Sequence, residues 1–345
     1  MRKKWDWLLF AQILAIGLIS ILIILSINKN LAQNQFIFWL VGLAVLYVVS
    51  QFNYHSWQTP TRFIYIGSLI ALIVLLVIGD PVRGSIRWID LGFFRIQPSE
   101  IAKAASVFLL ANFYKDKSAR DIKNVFVSFL MILPAILFVF IQPDLGNSLT
   151  FLAIWFGINL AAGFQVKHLA TFLFASVALL LIFYEMLAPY QKNRLATFVD
   201  PGSDPLGTGY NIIQSKIAIG SGKFLGRGFG KGSQSQLNFL PEAESDFIFA
   251  SIAEQLGFIG AGLLLTLFVW MITRIVAITK DKDRYAQLLL VGIVSFLITQ
   301  FAVNVGMNLA ILPVTGITFP FVSYGGSSLL TCLFLLGIVY AISLA

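Results

Sequence analysis

Residues 125–163 read VFVSFLMILPAILFVFIQPDLGNSLTFLAIWFGINLAAG. Two apolar runs, Val125–Ile141 and Leu145–Gly163, flank a short polar turn, and Asp144 is the one charged residue in the stretch. A helix crossing the hydrocarbon of a bilayer needs about 20 apolar residues, somewhat fewer where polar loops begin in the headgroup layer. Each run meets that need, and Pro143 and Gly146 supply the reversal between them. The stretch therefore reads as two membrane-spanning helices joined by the turn QPDLG, with Asp144 placed to cap the second.

Outward from that pair the pattern repeats. Apolar runs at Leu8–Ile27, Phe36–Phe52, Phe63–Gly79, Pro98–Phe113, His168–Leu187, Phe247–Arg274, Ala286–Leu309 and Ser327–Leu344 bring the total to about ten spans, which places both termini on one side. The Pro98–Phe113 run is the least regular, because it contains Glu100 and Lys103. Composition agrees: 58% of the chain is hydrophobic and 12% charged, against roughly 25% charged in a soluble domain. The expected fold class is an all-α polytopic membrane protein, one integral membrane domain over residues 1–345. Met1–Lys4 is basic, but the run after it is long enough to span and has no small-residue cleavage site, so no removable leader is expected. The single cysteine, Cys332, lies in an apolar run and supports no disulfide framework.

The net charge of +8 does not point to nucleic acid, because the basic residues fall in short clusters between apolar runs. With the N-terminus inside, inner segments hold 13 Lys and Arg and the short outer loops hold four, Lys29, Arg83, Arg87 and Arg95. That bias favours cytoplasmic termini. Acidic residues lean the other way, 11 of the 16 falling outside or in the outer half of a span. A long outer loop, about 188–246 between the seventh and eighth spans, concentrates glycine, proline and charge. Its apolar positions Ile212, Ile213, Ile217, Phe224, Leu237 and Phe239 argue for a folded cap on the membrane surface.

Three outer segments carry the candidate chemistry. In Val82–Lys103, VRGSIRWIDLGFFRIQPSEIAK, arginines alternate with Trp88, Phe93 and Phe94, as in a chain lying among headgroups. Glu100 and Lys103 stand at i and i+3 and share a helix face, so they form either an ion pair or a substrate contact. The second segment is QPDLG, where capping is the simplest role for Asp144. The third runs from the long loop into the next span, DPLGTGYNIIQSKIAIGSGKFLGRGFGKGSQSQLNFLPEAESDFIFASIAEQLG, Asp204–Gly257. Its glycines match neither a nucleotide loop nor a dinucleotide fingerprint. Two readings stay open for it: backbone N–H groups that hold a phosphate with Lys223, Arg227 and Lys231, or a flexible loop with solvated charges.

Glu242, Glu244 and Asp246 lie just ahead of the apolar run at Phe247. Asp246, at the mouth of a helix, suits either an N-cap or a general base. Glu254, about two turns deeper, is expected to bond to a neighbouring helix. His55 and His168 fall in or beside inner loops, and no Cys/His cluster suggests a metal site. A divalent cation held by carboxylates and a substrate phosphate stays open.

The stretches RWIDLGFFRIQPSEIAK, QPDLG, FVDPGSDPLGTGYNIIQSKIAIGSG, GSQSQLNFLPEAESDFIFASIAEQLGFIG and NVGMNLAILPVTGITFPFVSYGGSSLL together resemble the SEDS family (shape, elongation, division and sporulation). The resemblance covers nearly the whole chain in the same order. GTGYN, QSQLNFLPE and the short tails favour the elongation branch, RodA, over the division branch, FtsW. The resemblance implies a ten-helix fold and a peptidoglycan glycosyltransferase that polymerises lipid II at the outer face of the bacterial plasma membrane. It also implies a class B penicillin-binding protein as transpeptidase partner, alongside other membrane proteins of the elongation complex. The family's essential carboxylate falls on Asp246, and its QPSE–K motif on Glu100 and Lys103. One departure stands out: where the family usually has His-Thr before that aspartate, this chain has Glu244-Ser245, which adds a negative charge.

On this reading Asp246 is the catalytic residue and Glu100, Lys103, Arg87, Lys223, Arg227 and Glu242 bind substrate, with Mg or Mn as a candidate cation. Two rivals remain. A lipid-linked precursor flippase should carry ionisable residues at several depths, whereas the spans here are nearly bare apart from Glu100, Lys103, Glu185 and Glu254. A non-catalytic scaffold of the elongation complex explains the spans but not the carboxylate-and-glycine loop.

Overall fold

The structure, a computed structural model, describes residues 5–78, 87–90, 92, 95–165, 197–198, 200, 202, 204–205, 207 and 209–345. Every expected span within those residues is helical. The helices are α1 (Trp7–Ile27), α2 (Lys29–Ser50), α3 (Thr61–Ile78), α4 (Pro98–Tyr114), α5 (Ile122–Ile141), α6 (Leu145–Ala161), α7 (Tyr210–Gly222), α8 (Ser233–Gln236), α9 (Ile248–Ile278), α10 (Arg284–Asn308) and α11 (Gly326–Leu344). The expected span His168–Leu187 lies outside the described residues, as do Arg83, Phe93 and Phe94. Among the described helices, α1, α2, α5, α9, α10 and α11 are long and apolar enough to cross a membrane, and α3 and α6 are shorter apolar helices.

The polar content of α4 has a packing reason. Residues Ala102–Ala111 are buried without a break, so α4 is surrounded by α3, α6, α10 and α11 and does not rely on lipid for an apolar environment. Close helix approach is set by small residues, as is common in membranes. At the α2–α11 contact, a Cβ on Gly42 would meet Leu333 and one on Gly337 would meet Val49 and the Leu46 carbonyl.

The first described residues, Trp5 and Asp6, meet the last helix at one end of the bundle. The Trp5 ring stacks on Tyr340 with centroids 4.3 Å apart, the Tyr340 hydroxyl donates to the Asp6 carbonyl, and Arg274 pairs with Asp6 at 2.6 Å. The opposite end gathers the QPDLG turn, the C-terminus of α10, the starts of α4, α6, α9 and α11, and the helices α7 and α8.

The longest helix is broken. Gly257 in α9 has φ 66° and ψ −167°, a conformation that favours glycine. Its neighbours' backbone groups bond to the glycine-rich loop: Arg227 N–H donates to Glu254 O, Gly228 N–H to Gln255 O, Phe258 N–H to Lys223 O and Ile259 N–H to Phe224 O. Gly230 N–H donates to the Gln255 side chain. The approach leaves no room for side chains, since a Cβ on Gly226 would lie 2.1 Å from the Gln255 carbonyl oxygen. The dense glycines thus build a backbone seam against the kink. The N–H groups of Arg227, Gly228 and Gly230, which one of the two sequence readings left open to a phosphate, are spent there.

Candidate active site

The end opposite the termini brings together four segments that lie far apart in the chain. The first is a small antiparallel hairpin in which Ile89–Asp90 pairs with Arg95–Ile96. Asp90 closes it, accepting from Gly92 N–H and from Arg95 Nε at 2.9 Å. The Gly92 amide and the Arg95 guanidinium hold the exposed Asp90 carboxyl below its usual value. Just ahead of the hairpin's first strand, Arg87 reaches the QPDLG turn. There Arg87 donates to the Pro143 carbonyl, and its Nε lies 3.6 Å from Asp144 Oδ2.

Asp144 caps α6 as expected, its Oδ1 accepting from Asn147 N–H. It does more through Oδ2, which accepts from Asn147 Nδ2 at 2.8 Å and from Gln97 Nε2 at 3.4 Å. Asn147 Oδ1 in turn accepts from Lys103 Nζ at 2.6 Å, and Lys103 donates to Glu100 Oε1 at 2.8 Å. Lys103 also sits over the Phe296 ring. Glu100 and Lys103 are both buried, so the i, i+3 pair forms as an ion pair inside the bundle, where partnering offsets the desolvation of each charge. The other Glu100 oxygen, Oε2, has no hydrogen-bond partner among the described residues. A buried polar chain therefore runs from Arg87 through Asp144, Asn147 and Lys103 to Glu100.

Asp246 enters from the other side. The N-cap position of α9 falls on Phe247, whose side chain cannot cap. The first-turn amide of Ala250 is instead satisfied by Asn308 Oδ1 at 2.9 Å. Asn308 Nδ2 and Asn304 Nδ2 both donate to the Asp246 carbonyl at 3.0 Å, and Asn304 also donates to the Ile317 carbonyl. The preceding turn is pinned as well: Tyr324 N–H donates to Glu244 O, Ser323 Oγ donates to Ser245 O, and Ser245 Oγ donates to Glu242 Oε2. The backbone of Asp246 is thus fixed by α10 and by the chain leading into α11, and its carboxylate stands at the mouth of the bundle.

Gly316 completes the cluster. A Cβ placed on it would lie 3.4 Å from Asp246 Oδ2 and 3.9 Å from Arg87 Nη1. A carboxylate and a guanidinium therefore flank one point that has no side chain of its own. Beside it, Gly146 of the QPDLG turn packs against Ile317 and Thr315, where a Cβ would come within 2.5 Å. The structure thus joins Arg87, Asp144 and Asp246. Glu242 lies in the pinned turn, while Lys223 and Arg227 lie exposed on the seam loop, outside this cluster.

The sequence reading assigned no role to Asn304, Asn308 or Gly316. The signal for the asparagines was present, as two amides four residues apart near the end of an apolar span. Glu254 also finds its partners. Its Oε1 accepts from Gln234 N–H, and its Oε2 accepts from both Ser235 N–H and Ser235 Oγ, so it fastens α8 to α9. Among the described residues no three His, Cys, Asp or Glu side chains gather to hold a metal ion.

The chain is similar to known proteins over most of its length. The family model FTSW_RODA_SPOVE, described as Cell cycle protein, matches residues 4–345. The peptidoglycan glycosyltransferase MrdB of Escherichia coli K12 is 38% identical over 306 residues, covering 88% of this chain and 82% of that protein. A chain from a solved peptidoglycan synthase complex that coordinates polymerization and crosslinking superposes with a TM-score of 0.84 at 28% identity, covering 99% of this chain and 98% of that one. The crystal structure of the rod shape determining protein RodA of Thermus thermophilus superposes with a TM-score of 0.75 at 26% identity, covering 99% and 97%.

Proposed function

The chain belongs to the FtsW/RodA/SpoVE family of cell-cycle proteins, and from that membership we propose that it is a multi-pass membrane peptidoglycan glycosyltransferase whose base is Asp246. The substrate is lipid II, polymerised at the outer face of the bacterial plasma membrane during elongation. The observation that carries the assignment is the approach of Asp246 Oδ2 and Arg87 Nη1 to one point beside Gly316.

Joining two lipid-linked sugars requires loss of a proton from the acceptor hydroxyl and departure of a polyprenyl diphosphate. Asp246 takes the proton from the 4-hydroxyl of the acceptor N-acetylglucosamine, and the oxygen attacks the anomeric carbon of the growing strand with inversion. The diphosphate leaves as a stable anion, so one carboxylate suffices and no protonating acid is needed. Arg87 sits where that anion develops and is held there by Pro143 and Asp144. Behind it, Asn147, Lys103 and Glu100 form the buried support that keeps Asp144 in place. In this reading Glu100 and Lys103 act on the substrate through that support.

The tails need apolar room. A cavity of about 360 Å³ between α2, α3, α4 and α11, lined by Val45, Trp57, Ile64, Ile101, Phe108 and Phe334, offers an isoprenoid chain such a seat. The transpeptidase partner is a class B penicillin-binding protein, in keeping with the polymerization and crosslinking that the similar synthase complex coordinates. The flippase alternative is disfavoured by the buried ionisable groups of the described spans: Glu100 and Lys103 bind each other and Glu254 binds α8, so none of these three lines an open path.

The test supplies lipid II to the purified chain, with and without the partner, and resolves glycan polymer on a gel. Polymer from the wild type and none from a folded Asp246→Asn variant is the expected result. Polymer from both removes Asp246 from the chemistry. Polymer from neither, with the partner present, returns the assignment to a flippase or scaffold.

A further inference from the structure

The seam loop has a surface that the glycosyl-transfer chemistry does not use. From Pro205 to Pro241 the sequence holds Lys216, Lys223, Arg227 and Lys231 and no Asp or Glu. All four cations are exposed, and none forms an ion pair among the described residues. Between them the loop turns large apolar side chains outward: Phe224 is 72% exposed, Leu225 79%, and Phe229, Leu237 and Phe239 are also exposed. A soluble loop has no reason to show water so much aromatic and aliphatic surface.

Its position explains the pattern. Beyond the break at Gly257, α9 continues from Phe258 to Ile278, roughly 21 residues or about 31 Å, which matches the hydrocarbon thickness. The break, and the loop bonded to it, therefore stand at the edge of the bilayer. The loop's apolar face is continuous with the lipid-facing side of the span: Phe224 meets Phe258 edge-on at 5.9 Å, and Phe258, Ile259 and Leu263 are themselves exposed. Aromatic and aliphatic groups at that level with cations among them suit the headgroup layer of a membrane rich in anionic lipid.

We propose that the loop 223–239 is a membrane-docked platform, with Phe224, Leu225 and Phe229 inserted in the leaflet on the active-site side and Lys223, Arg227 and Lys231 bound to the phosphates of anionic phospholipid. The platform anchors the seam that braces the first half of α9, and hence the turn that carries Asp246. It stands independently of the reaction assigned above, since it requires only that α9 spans a membrane.

The experiment uses the full chain with Leu225→Cys carrying a nitroxide; the sole native cysteine, Cys332, is buried and takes up no label. The chain is reconstituted in vesicles of phosphatidylcholine alone and of phosphatidylcholine with phosphatidylglycerol, and collisions with oxygen and with a water-soluble nickel chelate are measured. Oxygen should dominate in both vesicles, and the oxygen-to-nickel ratio should rise at least about twofold with phosphatidylglycerol. Replacing Lys223, Arg227 and Lys231 by Gln should abolish that rise while leaving the ratio in neutral vesicles unchanged. A label as open to nickel as a soluble loop overturns the insertion. A ratio indifferent to phosphatidylglycerol, or a rise that survives the triple substitution, overturns the lipid-phosphate contact.

Discussion

Two carboxylates eight residues apart, Asp246 and Glu254, occupy opposite regimes. Glu254 is 0% exposed, and three donors from Gln234 and Ser235 satisfy it. Asp246 is half-buried; its backbone carbonyl is held by Asn304 and Asn308, while its carboxyl and Arg87 flank one point beside Gly316. On the proposed reading, depth alone does not mark function. A buried acid surrounded by donors fastens two elements, whereas Asp246, whose backbone is fixed by other residues, is proposed to serve the substrate with its carboxyl.

The strongest test of that contrast removes one charge at a time. Asp246→Asn keeps the shape and loses the base, so polymerisation should fall by about 10²–10⁴-fold with unchanged thermal stability. A companion Glu254→Gln variant should do the reverse. It exchanges an ion accepting three hydrogen bonds for a neutral amide, costing about 1–3 kcal/mol of stability, read as a lower melting temperature, while the activity of the folded fraction stays within about threefold. Equal loss of activity in both would erase the distinction. Between them in effect lies Gly316→Ala. Gly316 has φ 75°, so alanine is strained there, and its methyl group fills the point between Asp246 and Arg87. Activity should drop roughly tenfold, mainly in kcat/KM, for a stability cost of about 1 kcal/mol. A variant with full activity would show that the open point is not where the substrate sits.

Much of this was legible in the sequence, and the exceptions share a cause. Span positions follow from apolar length, so α1, α5, α6, α10 and α11 fall within a few residues of the expected runs. The Glu100–Lys103 pair follows from helical spacing, and the Asp144 cap from its place in QPDLG. What local pattern could not show was which segments meet. Gly257 reads as one glycine in an apolar run, and only its backbone conformation and close approach to Gly226 in the folded chain show that the helix breaks there. The loop glycines read as a flexible or phosphate-holding surface because backbone–backbone pairing leaves no side-chain signature. Arg87 and Asp246 are brought together by a hairpin, a turn and Gly316, none adjacent to another in the chain. The catalytic assignment of Asp246 came from family resemblance; its spacing alone fitted a cap equally well.

The smallest effect is expected at a third carboxylate, which separates satisfaction from burial. Asp90 is hydrogen-bonded by Gly92 and Arg95 much as Glu254 is by α8, yet it is exposed. Those partners lower its pKa in the folded hairpin relative to the unfolded chain. The stabilisation is therefore present above the ordinary carboxylate value, about 4, and is lost as pH falls through the lower folded value. Protection of the Gly92 amide against hydrogen exchange, corrected for its intrinsic pH dependence, should be constant above about pH 5 and decline toward pH 3. Asp90→Asn should show the weaker protection throughout. Because water already solvates an exposed carboxylate well, the change in polymerisation at neutral pH should stay within about twofold. A larger loss would mean that the hairpin, rather than Pro143 and Asp144, aims Arg87 at the site, and the buried chain behind Asp144 would then be a support for the fold and not for the guanidinium.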